Sequence, residues 1–295
     1  MGISLPLSGP AAGLGIPMQN HFKLCPTSIA GEKLTLIILD DATDPSKGVQ
    51  NARKFVTDDK VDLMKKQGVK TIGFLGYTDA YGEQWLKAFS TEGEKNGIKV
   101  IAAERVARSD SSVTAQALKP TAANPEAMLI LASGSGAAMP EKAIVERGYK
   151  GRIFQIHAAA TKDLMRIGGK DVEGTSVVSG PAVVGDLLPD NHPSKKLAMD
   201  FVAKYDKVYG AGSHNQFAGH AYDLIVLEKV VPVALKKAKP GCKEFRAALK
   251  DALEGMGRTV LAHGVMNWSA TNHWGYTQKT GVMLVDKNGD GALAN

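Results

Sequence analysis

From residue 2 to residue 178, short apolar runs alternate with amphipathic segments. The runs Ile72–Leu75 and Ala127–Leu131 are compact and have the composition of strands that are buried on both faces. In the segments between such runs, apolar side chains recur at helical spacing, as at Tyr81, Trp85 and Phe89. This alternation predicts an α/β fold with a parallel, doubly wound sheet.

The pattern changes after residue 193. Amphipathic helices are predicted over 193–209, 216–239 and 243–253 with no strand between them, and a β-rich tail follows over 264–292. Asp286–Gly291 resembles the first half of a calcium loop, but the chain ends before the glutamate that such a loop needs. We therefore expect a hairpin turn there and no metal site.

Three predicted strands of the first part end in small or polar residues, at 77–81, 133–136 and 157–159. Because the carboxyl ends of parallel strands meet at one edge of a sheet, we expect these loops to open together and to bind a ligand. A further loop, Ala11–Gly15, is rich in glycine but has neither a P-loop Gly-Lys-Ser/Thr nor a complete G-x-G-x-x-G. It is predicted to be a ligand loop that precedes a helix over 17–24.

One place interrupts the alternation. After a predicted helix over 46–58, Lys60–Asp62 has the pattern of a strand that is beginning, whereas Leu63–Gly68 has that of the last turns of a helix with a C-terminal glycine. A strand cannot pass directly into the end of a helix. The sequence therefore predicts that several elements are absent between Asp62 and Leu63.

Composition excludes several classes of protein. The chain has 295 residues, 44% of them hydrophobic, with no apolar run long enough for a membrane span and no export signal at its start, so we expect any such signal to have been removed. The net charge is +6, but the lysines are dispersed beside acidic residues, which favours a solvated basic surface over a nucleic-acid site. Cys25 and Cys242 form either one disulfide or two buried thiols, and the thiols are favoured.

No catalytic set is complete in the sequence, which has no G-x-S-x-G and no H-E-x-x-H. His157 is the one histidine that we predict at the carboxyl end of a strand. It has three candidate roles there, namely a hydrogen bond to an anionic ligand, a proton shuttle, or a structural ring. We expect a binding protein without cofactor or metal.

Several stretches together resemble the periplasmic solute-binding proteins of ABC transporters, and more closely the type I branched-chain amino acid (Leu/Ile/Val) receptor family. They are GISLPLSGPAAGLG (2–15), DDATDPSKGVQNARKFVTDDKVD (40–62), GYTDAYGEQW (76–85), ERGYKG (146–151), HAYDLIVLEKV (220–230), GVMNWS (264–269) and GYTQKTGVMLVDKNGDG (275–291).

This resemblance spans nearly the whole chain and implies two doubly wound Rossmann-like lobes, joined by three crossovers, that close on a small molecule. Lobe 1 would comprise residues 1–62 and 186–275, and lobe 2 residues 63–185 and 276–295. The resemblance also implies a periplasmic, monomeric receptor that is not an enzyme and whose partner is a membrane permease.

The ligand-binding residues implied by the resemblance lie on the loops already described. Tyr81 is the ligand-facing member of its Tyr-Gly-Glu motif, and Leu14 stands where the amino-acid receptors often place an aromatic residue. The predicted set is Ser8, Leu14, Thr78, Tyr81, Ser133, Ser135, Gly136 and His157. The family's main carboxylate-binding loop would fall in the stretch that is expected to be absent.

His157 departs from the family pattern, because the amino-acid receptors use an acidic residue there to hold the α-ammonium group. An imidazole does not replace a carboxylate in that role, but it hydrogen-bonds a carboxylate or hydroxyl. We therefore expect a small organic acid, an aromatic carboxylate for example. A receptor for branched-chain or other amino acids and a ligand sensor on the same fold remain open alternatives.

Overall fold

The computed structural model describes residues 1–9, 11–40, 64, 67–273, 275, 282–287 and 290–293. With those gaps, the chain divides into two compact units. Unit 1 comprises Met1–Leu5, Gly15–Asp40 and Gly180–Gly281, and unit 2 comprises Pro6–Leu14, Asp41–Ser179 and Val282–Asn295. The lobe boundaries implied by the resemblance stay a prediction. The predicted helix over 46–58 and the junction of Asp62 and Leu63 lie outside the described residues.

Strands alternate with helices from residue 71 to residue 179, and helices dominate from residue 195 to residue 254. In chain order, the described strands and helices are β1 (Gly2–Leu5), α1 (Ala12–Phe22), β2 (Ser28–Ile29), β3 (Glu32–Lys33), β4 (Ile37–Asp40), β5 (Thr71–Tyr77), α2 (Ala80–Lys95), β6 (Lys99–Val106), α3 (Thr114–Ala122), β7 (Ala127–Leu131), α4 (Ala138–Val145), β8 (Arg152–Gln155), α5 (Lys162–Gly168), β9 (Ser176–Ser179), α6 (Lys195–Tyr209), α7 (Gln216–Tyr222), α8 (Leu227–Leu235), α9 (Lys243–Glu254), β10 (Gly257–Leu261), β11 (Gly264–Trp268), β12 (Val282–Lys287) and β13 (Asp290–Leu293).

Unit 2 is built on a sheet in the order β13-β12-β9-β8-β7-β5-β6. The five strands from β9 to β6 are parallel, as the alternation predicts, and β12 and β13 extend the sheet in antiparallel fashion. All residues of β7 are fully buried, which confirms that this apolar run forms a strand covered on both faces. The predicted hairpin of β12 and β13 is also present, although its turn residues lie outside the described part.

Local side-chain chemistry sets where the helices of unit 2 begin. The Asp79 carboxylate accepts a hydrogen bond of 3.0 Å from the Gly82 N–H, so α2 begins at Ala80 with an N-cap. Asp110 does not cap the next helix, because its carboxylate accepts from the Ala107 N–H instead and α3 begins only at Thr114.

Unit 1 pairs β1 with β4 in parallel, β2 with β3 and β10 with β11 as hairpins. In this part, two predictions were wrong and one strand was not predicted. Helix α1 begins at Ala12, inside the glycine-rich stretch predicted to be a loop. The helix predicted over 216–239 is divided by a 3-10 turn at Asp223–Val226 into α7 and α8. Strand β10 was not predicted, because its polar and apolar residues lack a clean alternation.

A buried histidine lies in the aromatic core of unit 1. The His21 ring stacks on Tyr205 with centroids 6.2 Å apart and meets the edge of Tyr222 at 5.4 Å, and its Nδ1 has no hydrogen-bond partner in the described part of the chain. Burial lowers the pKa of His21 from 6.5 to about 4, and the positive charge of Lys204 adds to the effect. The ring is therefore neutral at neutral pH.

His21 is expected to make folding weaker in acid. The unfolded chain binds a proton at this ring near pH 6.5 and the folded chain only near pH 4, so stability is lost as the pH falls through that window. The loss amounts to at most about 3 kcal/mol. In urea denaturation followed across the window, His21→Leu should flatten the pH dependence.

A His21→Leu protein that loses stability in acid as steeply as the wild type would contradict the prediction.

Candidate functional site

The carboxyl ends of four parallel strands meet at one edge of the unit 2 sheet. Strands β5, β7 and β8 are direct neighbours, so the loops after Tyr77, Leu131 and Gln155 lie side by side, as predicted. The end of β6 joins them, since the Thr78 N–H donates to the Val106 carbonyl at 3.0 Å. This fourth strand end brings in a side chain that the sequence analysis did not select.

That side chain is Arg108, whose guanidinium links three of the strand ends. Its Nε donates to Asp79 Oδ2 at 2.7 Å and its Nη1 donates to Ser133 Oγ at 3.3 Å. The guanidinium carbon lies 3.8 Å from the centre of the Tyr77 ring, within range of a cation–π interaction. The other loops were selected because they follow the carboxyl ends of predicted strands. The same criterion applied to β6 would have found Arg108, which follows the carboxyl end of that strand.

Tyr77 and Ser133 connect the ends of β5 and β7. The Ser133 N–H donates to the Tyr77 hydroxyl at 2.9 Å, and the two side-chain oxygens are 3.2 Å apart. Ser133 is buried, and its hydroxyl is engaged with both Tyr77 and Arg108. In this arrangement it positions the guanidinium, and the predicted contact of Ser133 with a ligand stays a prediction.

Three aromatic rings line the site on the side of α2. The Trp85 ring meets the edge of Tyr81 with centroids 6.1 Å apart and stacks on His157 at 6.4 Å. Tyr81 and His157 are half-buried, whereas Trp85 is buried and was not in the predicted set. Burial raises the pKa of Tyr81 above its usual value, so its hydroxyl is protonated and available as a donor.

The remaining predicted residues differ in their burial. Ser8, Thr78 and Ser135 are exposed, and Gly136 is half-buried. Leu14 is half-buried and packs against the core of unit 2, where a Cβ on Gly134 would lie 3.4 Å from its Cδ1. For these residues too, contact with a ligand stays a prediction.

The carboxylates of this region are already paired with cations. Asp79 accepts from Gly82 and Arg108, and Asp163 accepts from Arg166 on the same helix at 2.8 Å. Among the described residues, nothing hydrogen-bonds Nη2 of Arg108. The site therefore offers a donor to an anion more readily than an acceptor to a cation.

Other classes of site find no support in the described part of the chain. No group of three His, Cys, Asp or Glu side chains is placed to hold a metal ion there. No described helix combines the length and apolar character that a bilayer crossing requires. Cys25 and Cys242 are both free thiols, as expected, but each is half-buried and not buried.

A family model described as periplasmic binding protein matches residues 1–64 and 62–290 of the chain. A search of curated proteins found no match. Among solved structures, an extracellular ligand-binding receptor from Rhodopseudomonas palustris is 38% identical, with a TM-score of 0.92 over 100% of this chain and 98% of that chain.

Two more distant structures share the fold. A leucine-binding protein from Thermotoga maritima is 16% identical, with a TM-score of 0.77 over 100% of this chain and 97% of its own. A solute-binding protein of an ABC transporter from R. palustris, solved in complex with benzoate, is 15% identical with a TM-score of 0.75 over 99% and 94% of the two chains.

Asp79→Ala is expected to destabilise the protein. The change removes the N-cap of α2 and leaves the largely buried Arg108 without its carboxylate, which together should cost about 1 to 3 kcal/mol in the free energy of unfolding. Urea denaturation measures this loss.

Glu83→Ala is the matched control. Glu83 lies on the same helix and forms an exposed ion pair with Arg105, so its loss should cost less than about 1 kcal/mol. Equal losses of unfolding free energy in the two variants would show that the Asp79 contacts stabilise the protein no more than an exposed ion pair does.

Proposed function

Because this chain belongs to the periplasmic binding protein family, we propose that it is the receptor for a small organic acid, which it delivers to the permease of an ABC transporter. The family consists of binding receptors and not of enzymes. As part of the same proposal, the protein works as a monomer in the periplasm. The choice of an acid as the ligand rests on one observation, the position of the Arg108 guanidinium at the edge of the sheet.

Arg108 is suited to an anion for three reasons. Its guanidinium is held in place by Asp79 and Ser133, so little side-chain freedom is lost when a ligand binds. Its side chain is only 21% exposed, so solvent weakens the attraction less than on the open surface. Its Nη2 has room for a charge-assisted hydrogen bond to a carboxylate.

The same neighbourhood argues against an α-ammonium group. An ammonium group needs a carboxylate or several carbonyl oxygens. The Asp79 carboxylate already accepts hydrogen bonds from the Gly82 N–H and from Arg108. His157 stands where the resemblance expects an acid, and imidazole does not take that role. An acid without an amine is therefore the better fit.

The rings of Tyr81, Trp85 and His157 support a flat ligand. Their faces and edges give apolar contact to one side of the ligand's aromatic ring, while Arg108 donates a hydrogen bond to the ligand's carboxylate. The neighbour solved with benzoate and the leucine-binding neighbour are too distant in sequence to choose between these ligands. Leucine is therefore the competing ligand in the test.

We also propose that lobe 1 lacks several elements after Asp62. In support, the family model matches in two segments that meet at residues 62–64, and the described part of unit 1 contains two parallel strands against five in unit 2. Arg108 would then be the main partner of the ligand carboxylate. A crystal structure with a full parallel sheet in unit 1 would contradict this.

Thermal unfolding with added ligand tests the function. Benzoate should raise stability, by about 2.7 kcal/mol at a concentration of about 100 times its Kd, whereas leucine should leave it unchanged. Stabilisation by leucine and not by benzoate would refute the organic-acid proposal and would leave the family membership intact.

Arg108→Gln should weaken benzoate binding by about 10- to 100-fold, because a charge-assisted hydrogen bond of about 1.5 to 3 kcal/mol is lost. Titration calorimetry gives the Kd. The matched control is Arg105→Gln, which removes an exposed guanidinium near the end of β6 and should change the Kd less than about twofold. Equal effects of both changes would point to general electrostatics instead of a contact.

His157→Asp should shift the preference from benzoate towards leucine, because the new carboxylate repels an acid and pairs with an ammonium group. His157→Gln is the control, since it keeps a neutral hydrogen-bonding side chain and should retain benzoate binding. Unaltered Kd values for both ligands in His157→Asp would show that this residue is not in the site.

A further inference from the structure

Unit 1 contains a cavity that none of the predicted ligand residues lines. Its volume is about 100 Å³, and it lies among the C-terminal end of α1, strand β2 and the segment from Tyr222 to Glu228. Apolar side chains form most of its wall, with Leu24, Ile29 and Ile225 among them. This volume is smaller than the enclosed apolar space of about 150 Å³ that holds one benzene molecule, but the cavity opens to solvent, so a small ring can bind with part of it outside.

His21 is a buried polar residue of this wall. The side chain is 4% exposed, it lines the cavity, and its buried Nδ1 has no hydrogen bond to any described residue. A neutral imidazole carries one donor and one acceptor. Nothing among the described residues hydrogen-bonds Nδ1 of the ring, so a ligand hydroxyl can bond it without displacing a partner.

The charged groups at the cavity favour a neutral ligand. Lys204 and Glu228 both line it and carry opposite charges. The Lys204 ammonium is 2.8 Å from the Asp200 carboxylate, so it is already paired. Glu228 is exposed, so solvent screens its charge, and no described residue of the wall offers an unpaired cation to an anion.

We propose that this cavity is a binding site for a small neutral molecule with one hydroxyl group on an apolar body, of which phenol is the simplest aromatic example. The apolar wall takes the body, and His21 hydrogen-bonds the hydroxyl. The site is separate from the proposed organic-acid site and does not rest on it.

Cys25 gives a direct readout of occupancy. It is a free thiol that lines the same cavity, and its pKa is raised, first by burial and then by the charge of Glu228. The thiol is therefore a poor nucleophile and has no covalent role in binding, but a maleimide reacts with it slowly when the cavity is open. Cys242 is a second free thiol outside the cavity and serves as the internal reference.

The experiment follows alkylation of both cysteines by N-ethylmaleimide in the intact protein, with mass spectrometry of the peptides. Phenol at about four times its Kd should slow the reaction of Cys25 about fivefold and leave that of Cys242 unchanged, because only the unoccupied fraction reacts. Benzene should protect Cys25 more weakly, and benzoate, the probe of the other site, should not protect it.

His21→Phe keeps an aromatic ring of similar size and removes the hydrogen bond, so phenol and benzene should then protect Cys25 equally. If that variant fails to fold, the comparison of phenol, benzene and benzoate on the wild-type protein decides alone. The proposal is overturned if phenol leaves the alkylation of Cys25 unchanged, slows Cys242 to the same degree, or protects Cys25 no better than benzene in the wild type.

Discussion

The ion pair between Arg108 and Asp79 is the contact on which the arrangement of the candidate site depends. Asp79 caps α2 and thereby sets the position of Tyr81 and Trp85, while Arg108 stacks on Tyr77 and reaches the end of β7. Both partners are about four-fifths buried, so their attraction is screened less than that of the exposed pair of Arg105 and Glu83. One guanidinium thus connects three of the loops at the edge of the sheet.

The two units use buried polar groups in opposite ways. In unit 2, Arg108 keeps its charge because Asp79 and the Tyr77 ring compensate its burial. In unit 1, the Nδ1 of His21 has no such partner among the described residues, and burial leaves the ring neutral. The first environment suits an anion and the second suits an uncharged molecule. The two proposed sites therefore differ in the charge of the ligand that they suit.

Prediction from the sequence succeeded where local pattern and burial agree. Ala127–Leu131 was predicted to the residue, because an apolar run of 5 residues between turns is short for a helix and typical of a covered strand. It failed where packing overrides pattern. The glycine-rich stretch after β1 forms the start of α1, and one continuous amphipathic pattern is divided at Asp223, whose carboxylate accepts the N–H groups of Ala262 and His263 from far along the chain.

The sequence by itself determined the parallel sheet of unit 2, the loops at its edge and the resemblance to the family, because periodicity and ordered motifs are local properties of the chain. The tertiary structure alone decided which side chains of those loops meet. Arg108, Tyr77 and Ser133 come together only because β6 and β7 flank β5, and the spacing of these residues along the sequence does not show that they are neighbours. The cavity beside His21 is likewise set by helices far apart in the chain, so no pattern along the sequence predicts it.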